Sequence, residues 1–144
     1  MNSLVSMCFL LVVFFETQVV MDEFHGLNSE KEELVFMNKY SKDSSASVQA
    51  YVCAVEMKQA EYAFNPITKL KIFNRAKRKL NLLIDINPKN IDLRYIRLLL
   101  QERTPSILGY NDTIDEDKTF LQKKIAAKEI SKKLAVYIYK NTSL

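Results

Sequence analysis

Two helical patterns meet at Asn87-Pro88-Lys89, and that junction limits the fold more than any other feature of the chain. Upstream of it, Phe73, Ala76, Leu80, Leu83 and Ile84 recur on one helix face. Downstream, a second apolar run begins at Ile91, with Asn90 as its cap. Proline drives the preceding residue out of helical geometry, so the first helix must end at this corner. Two amphipathic helices joined so closely fold back on each other to bury their apolar faces. The chain has only 2 glycines and 3 prolines in 144 residues, fewer than the tight turns of a sheet require, and no segment alternates apolar and polar residues. The expected fold is all-α, built of antiparallel helical hairpins or a small helical bundle.

The N-terminal segment differs from the rest. Leu4 to Phe15 is almost unbroken apolar sequence. Its length suits the core of a signal peptide, roughly 7–15 residues, and falls short of the ~20 that span a bilayer. No Lys or Arg precedes it and no small-residue cleavage site follows. Residues 1–21 are expected to be an export leader, and Asp22–Asn28, polar and containing Gly26, a linker. A single helical domain is expected over 29–140. The chain without its leader is long enough to bury roughly two-thirds of its unfolded surface, so it needs no disulfide or metal to fold. Cys53 is then the one mature cysteine, expected as a small buried side chain.

Helix starts within that domain are marked by caps. Ser29 and Glu32 form a capping box before a short helix ending near Tyr40. Val48, Tyr51, Val52, Val55, Tyr62 and Ala63 predict an amphipathic helix that stops near Phe64, ahead of Asn65-Pro66. Asn65 can cap the next helix, with Pro66 at its first position. That helix carries Lys71, Arg75, Arg78 and Lys79 opposite its apolar stripe. The helix from Ile91 is apolar over so much of its surface that it should be central, and it ends at Thr104-Pro105. Ile107 and Leu108 form an apolar hook in the turn that follows. Thr113 and Glu116 form a second capping box, with Asp115, Glu116 and Asp117 at the positive end of the helix dipole. The apolar pattern continues to Ile138 as one long helix or as two.

The Asn-Pro corner resembles a tetratricopeptide repeat, with Ala76 and Leu80 where a small and a large apolar residue belong before the repeat's proline. Pro66 would fall inside the first helix, the Trp-Leu-Gly-Tyr positions are absent and no 34-residue period recurs, so the likeness is one of hairpin geometry. A broader likeness covers Ala60 to Leu121. Ala60-Glu-Tyr-Ala-Phe-Asn-Pro-Ile-Thr-Lys-Leu, then Asn87-Pro-Lys-Asn-Ile-Asp-Leu-Arg-Tyr-Ile-Arg, Leu108-Gly-Tyr-Asn and Asp117-Lys118 resemble a family of small uncharacterised Bacteroidota proteins. Members carry a signal peptide before a helical body. The resemblance implies a bacterial, exported, all-helical protein and carries over no catalytic or binding residue.

Few residues can carry chemistry. His25, the only histidine, lies in the expected linker, which excludes a histidine-based triad or a multi-histidine zinc site within one chain. Two glycines cannot build a phosphate-binding loop. Asp112, Asp115, Glu116 and Asp117 lack calcium-loop spacing. No cofactor or metal is expected. The formal charge of +4 is mild. The basic face of Lys71, Arg75, Arg78 and Lys79 could meet nucleic acid or anionic lipid but is expected to be a solvated outer face, and with no aromatic residue interleaved nucleic-acid binding is not expected. Arg94 and Arg97 stand three apart on the most apolar helix. They can form an anion fork or pair with carboxylates of neighbouring helices, with Asp115, Glu116 or Asp117 as candidate partners returned by the turn at Gly109, where Tyr110 and Asn111 can line a small polar pocket. The expected function is a non-catalytic protein-interaction or scaffold module of the cell envelope with a protein partner. The alternative is an enzyme or anion-binding protein whose polar site is built on Arg94, Arg97, Tyr110 and Asp117.

Overall fold

The computed structural model describes residues 16–144. The apolar run Leu4–Phe15 and Cys8 lie outside the described residues. All regular structure in the described residues is helical, with no strand among them. The helices are α1 (16–26), α2 (Glu30–Tyr40), α3 (Ala46–Lys58), α4 (Pro66–Ile86), α5 (Ile91–Arg103), α6 (Ile114–Ala126) and α7 (Lys132–Asn141). Short 3-10 turns cover Gln59–Glu61 and Ser106–Leu108. The chain divides into two compact units, one ending at Ala76 and one covering Lys77–Leu144. None of the described helices is long and apolar enough to cross a membrane.

In the first unit α2 packs on α3. Contrary to the amphipathic pattern expected there, α3 is buried nearly all round: Val48, Ala50, Tyr51, Val52, Cys53, Ala54, Val55 and Met57 are all in the core. Its small residues let neighbouring side chains approach from every side, which a count of large apolar positions does not register. Gln49 fixes its entrance, its amide donating to the carbonyls of Tyr40 (3.0 Å) and Asp43 (2.8 Å). The α-helix ends at Lys58, not near Phe64, and tightens into the 3-10 turn that follows.

The expected linker is a second correction. Residues 22–26 continue α1, in which Val20 and Met21 are buried. The Phe24 ring packs in tilted contact with Tyr51 and Phe36, with centroids 5.3 Å and 6.4 Å away. Glu23 accepts from Lys39 Nζ (2.7 Å) and from the Tyr40 hydroxyl (2.9 Å). Val20, Met21 and Phe24 share one helix face, so the polar residues between them mark the opposite side of a helix, not a break in structure.

In the second unit α5 packs on α6. Leu80 and Ile84 of α4, Leu93, Tyr95, Ile96, Leu98 and Leu99 of α5, Leu121 of α6, and Leu134 and Ile138 of α7 make its core. The Tyr95 hydroxyl lies 3.4 Å from the Tyr137 carbonyl, and burial pushes its ionisation up. Gly109 takes the left-handed conformation (φ 59°) that turns the chain back toward α6. Ile107 and Leu108 do not hook into the core but face solvent, while Tyr110 is buried instead. The C-terminal pattern resolves into two helices. Lys128 takes φ 57°, with its N–H on the Ile125 carbonyl and the Glu129 N–H on the Lys124 carbonyl, which is the Schellman closure of α6. Ser131 then caps α7 through Leu134 N–H (3.1 Å).

Candidate functional site

The α5–α6 pair places Arg94, Arg97 and Asp117 together. Asn90 caps α5 by accepting from Leu93 N–H at 3.0 Å, which fixes where the first turn of α5 begins. Arg94 and Arg97, one turn apart, then point the same way. Opposite them, Asp117 sits in the first turn of α6, favoured there by the helix dipole. Asp117 is fully buried. It accepts from Arg97 Nε (2.6 Å) and Nη2 (2.8 Å), a two-pronged pairing. Arg94 Nε contacts the same carboxylate as an ion pair, but its N–H is not aligned for a hydrogen bond. Arg94 Nη2 donates to Glu116 Oε1 at 2.6 Å, and its guanidinium lies 4.8 Å over the Phe120 ring.

Two guanidinium groups therefore face two carboxylates. Burial pulls the Arg97 guanidinium down, but the hydrogen bonds and charge of Asp117 outweigh it and hold the group above its ordinary value. Both arginine side chains are almost fully covered, whereas Glu116 is 59% exposed. A shallow open depression beside them is lined by Arg94, Asp115, Glu116, Thr119, Phe120 and Lys123. Its charges are mixed, and its one arginine is already held by Glu116 and Asp117.

Tyr110 faces α4. Its hydroxyl lies 3.4 Å from Asn81 Oδ1, and Lys77 Nζ stands 4.8 Å over its ring. The second capping box does not form, because Thr113 makes no side-chain cap to α6. Its hydroxyl instead donates to Gln101 Oε1 (3.0 Å), while the Gln101 amide reaches Asp112 Oδ1 (3.3 Å), and Glu116 is taken by Arg94. Gln101, buried on α5, thus ties down the loop that delivers Asp117. Polar residues on a helix otherwise so apolar were the available signal for it.

The first unit contains a second buried carboxylate that the sequence reading passed over. Glu33 is fully buried and holds Lys58 Nζ (2.6 Å), Gln59 Nε2 (2.7 Å) and the Tyr62 hydroxyl (3.2 Å). The 3-10 turn after α3 brings Gln59 and Tyr62 to it. Glu33 stands three residues before Phe36, on the same helix face, and that spacing could have marked it as inward-facing.

No known family, curated protein or solved structure matches the chain.

Cys53 is a buried thiol within α3, and His25 packs edge-on against Phe24 at 4.9 Å. Among the described residues no group of three or more His, Cys, Asp or Glu is placed to hold a metal. The arrangement fastens helices: one carboxylate joins α5 to α6, and another joins α2 to the end of α3.

Proposed function

We propose that the chain is a non-catalytic helical interaction or scaffold module of the bacterial cell envelope, with a protein partner and no nucleic-acid role. The observation that carries this reading is the pairing of both Arg94 and Arg97 with buried Asp117. The competing reading, an enzyme or anion site on Arg94, Arg97, Tyr110 and Asp117, needs guanidinium groups open to a ligand. Here a protein carboxylate takes the place that a bound anion would occupy. Hairpins of the tetratricopeptide type present surfaces on which a partner helix or peptide can lie. The apolar run Leu4–Phe15 and the resemblance to exported Bacteroidota proteins support the envelope assignment.

Affinity capture with the full chain from the envelope fraction of its host, alongside a thermal-shift series with inorganic phosphate and small carboxylates, tests the reading. It predicts one stoichiometric protein partner and no anion-dependent shift. A saturable stabilisation by a small anion that is lost in Arg94→Ala would contradict it.

A further inference from the structure

We propose that the start of α4 and the loop before it dock on an anionic lipid surface. Residues 64–71 are exposed without interruption, through the whole first turn of α4. The run includes three large apolar side chains, Phe64 at 103% exposure, Ile67 at 66% and Leu70 at 49%. Lys69 and Lys71 alternate with them, and Arg75 follows one turn on. The sequence has no Asp or Glu between Glu61 and Asp85, so this tip is basic without compensation along the chain.

The tip is also preformed. Asn65 Oδ1 accepts from Ile67 N–H (2.8 Å), Pro66 sets the first helical position, and Lys69 Nζ reaches the Glu61 carbonyl (3.4 Å). A peptide partner is usually received in a groove or along a sheet edge. Residues exposed on every face of a helical turn form a projection instead, and a bilayer is the partner that accepts one. Phe64 and Ile67 would sit at the boundary of headgroups and acyl chains, with Lys71 extended to lipid phosphates and Lys69 exchanging its 3.4 Å contact with the Glu61 carbonyl for one to phosphate. The same unit contains α1, which directly follows the apolar run Leu4–Phe15 in sequence. The proposal goes beyond the scaffold reading and stands without it, since it requires no protein partner.

The chain has no tryptophan, so Phe64→Trp installs a single reporter in the full-length protein. Its emission is followed with phosphatidylcholine vesicles and with vesicles containing phosphatidylglycerol, at physiological salt. The expected result is a blue shift with the anionic vesicles only. Adding Lys69→Glu and Lys71→Glu should weaken the partitioning roughly tenfold or more. A reporter at the exposed Val136 of α7, Val136→Trp, should not shift. The proposal is overturned by an unchanged Phe64→Trp emission or by an equal shift in neutral vesicles. It is equally overturned by a matching shift at Val136→Trp, or by a concentration-dependent shift without vesicles, which would mark self-association.

Discussion

Lys128 occupies a position that usually belongs to glycine. Its φ of 57° costs an L-residue about 1 kcal/mol or more, yet the Schellman closure of α6 requires it. Lys128→Gly is therefore expected to stabilise the protein by about 1 kcal/mol, read as a raised urea midpoint. A second single-residue effect belongs to Lys58. The hydrogen bond it donates to Glu33 raises its ionisation above the ordinary 10.5, against the opposing effect of partial burial. A lysine with a raised folded value contributes its full stability below the unfolded value and loses it as pH rises through the folded one. The Glu33–Lys58 contribution should thus be complete at neutral pH and disappear above pH 10.5. Stability curves taken from roughly pH 9 to 12 should fall more steeply for the wild type than for Glu33→Gln. Tyr62, whose ionisation is raised by burial and by its hydrogen bond to Glu33, steepens the wild-type curve in the same direction, so the difference reports the Glu33 cluster as a whole, while buried Tyr95 is common to both proteins. At this scale the sequence was only partly legible. Arg94, Arg97 and an acidic helix start could be read as one neighbourhood, but choosing Asp117 from three adjacent acids depends on which one α6 turns inward. Glu33 escaped notice beside the more recognisable Glu32, whose N–H does bond Ser29 Oγ at 3.3 Å.

The helices themselves were largely legible because their ends carry local chemistry. Asn65, Asn90 and Ser131 cap α4, α5 and α7 through contacts that need nothing from distant sequence. What local chemistry could not reveal was competition from elsewhere. Thr113 abandons its cap for Gln101, twelve residues away, and the break between α6 and α7 rests on a lysine in a left-handed conformation. Composition also misled over 22–26, the polar end of a helix whose buried face lies at Val20 and Met21. The consequence for α1 can be measured. Met21 is buried, so Met21→Ala should cost about 2–5 kcal/mol in equilibrium unfolding if α1 is an integral part of the first unit. A loss below about 0.5 kcal/mol, typical of exposed sites, would show that α1 is dispensable.

Over the whole chain, fold class follows from few glycines, an Asn-Pro corner and helical periodicity, and all described regular structure is helical. Function was far less legible, because a basic helix and an arginine pair serve structure or recognition equally well until their partners are known. On the proposed reading, the Arg94, Arg97 and Asp117 cluster holds the second unit together in place of binding a ligand. A double-mutant cycle on Arg97→Met and Asp117→Leu, measured by urea unfolding of the full chain, tests it most directly. Arg97→Met removes the two-pronged hydrogen bonds to Asp117 and leaves it only Arg94, and Asp117→Leu leaves two covered guanidinium groups to share the exposed Glu116, so each single change should cost up to about 3–5 kcal/mol. The double variant should lose less than the sum by roughly 1–3 kcal/mol, since removing both partners leaves fewer unmatched charges. Single variants within about 0.5 kcal/mol of wild type, with additive effects in the double, would contradict the claim.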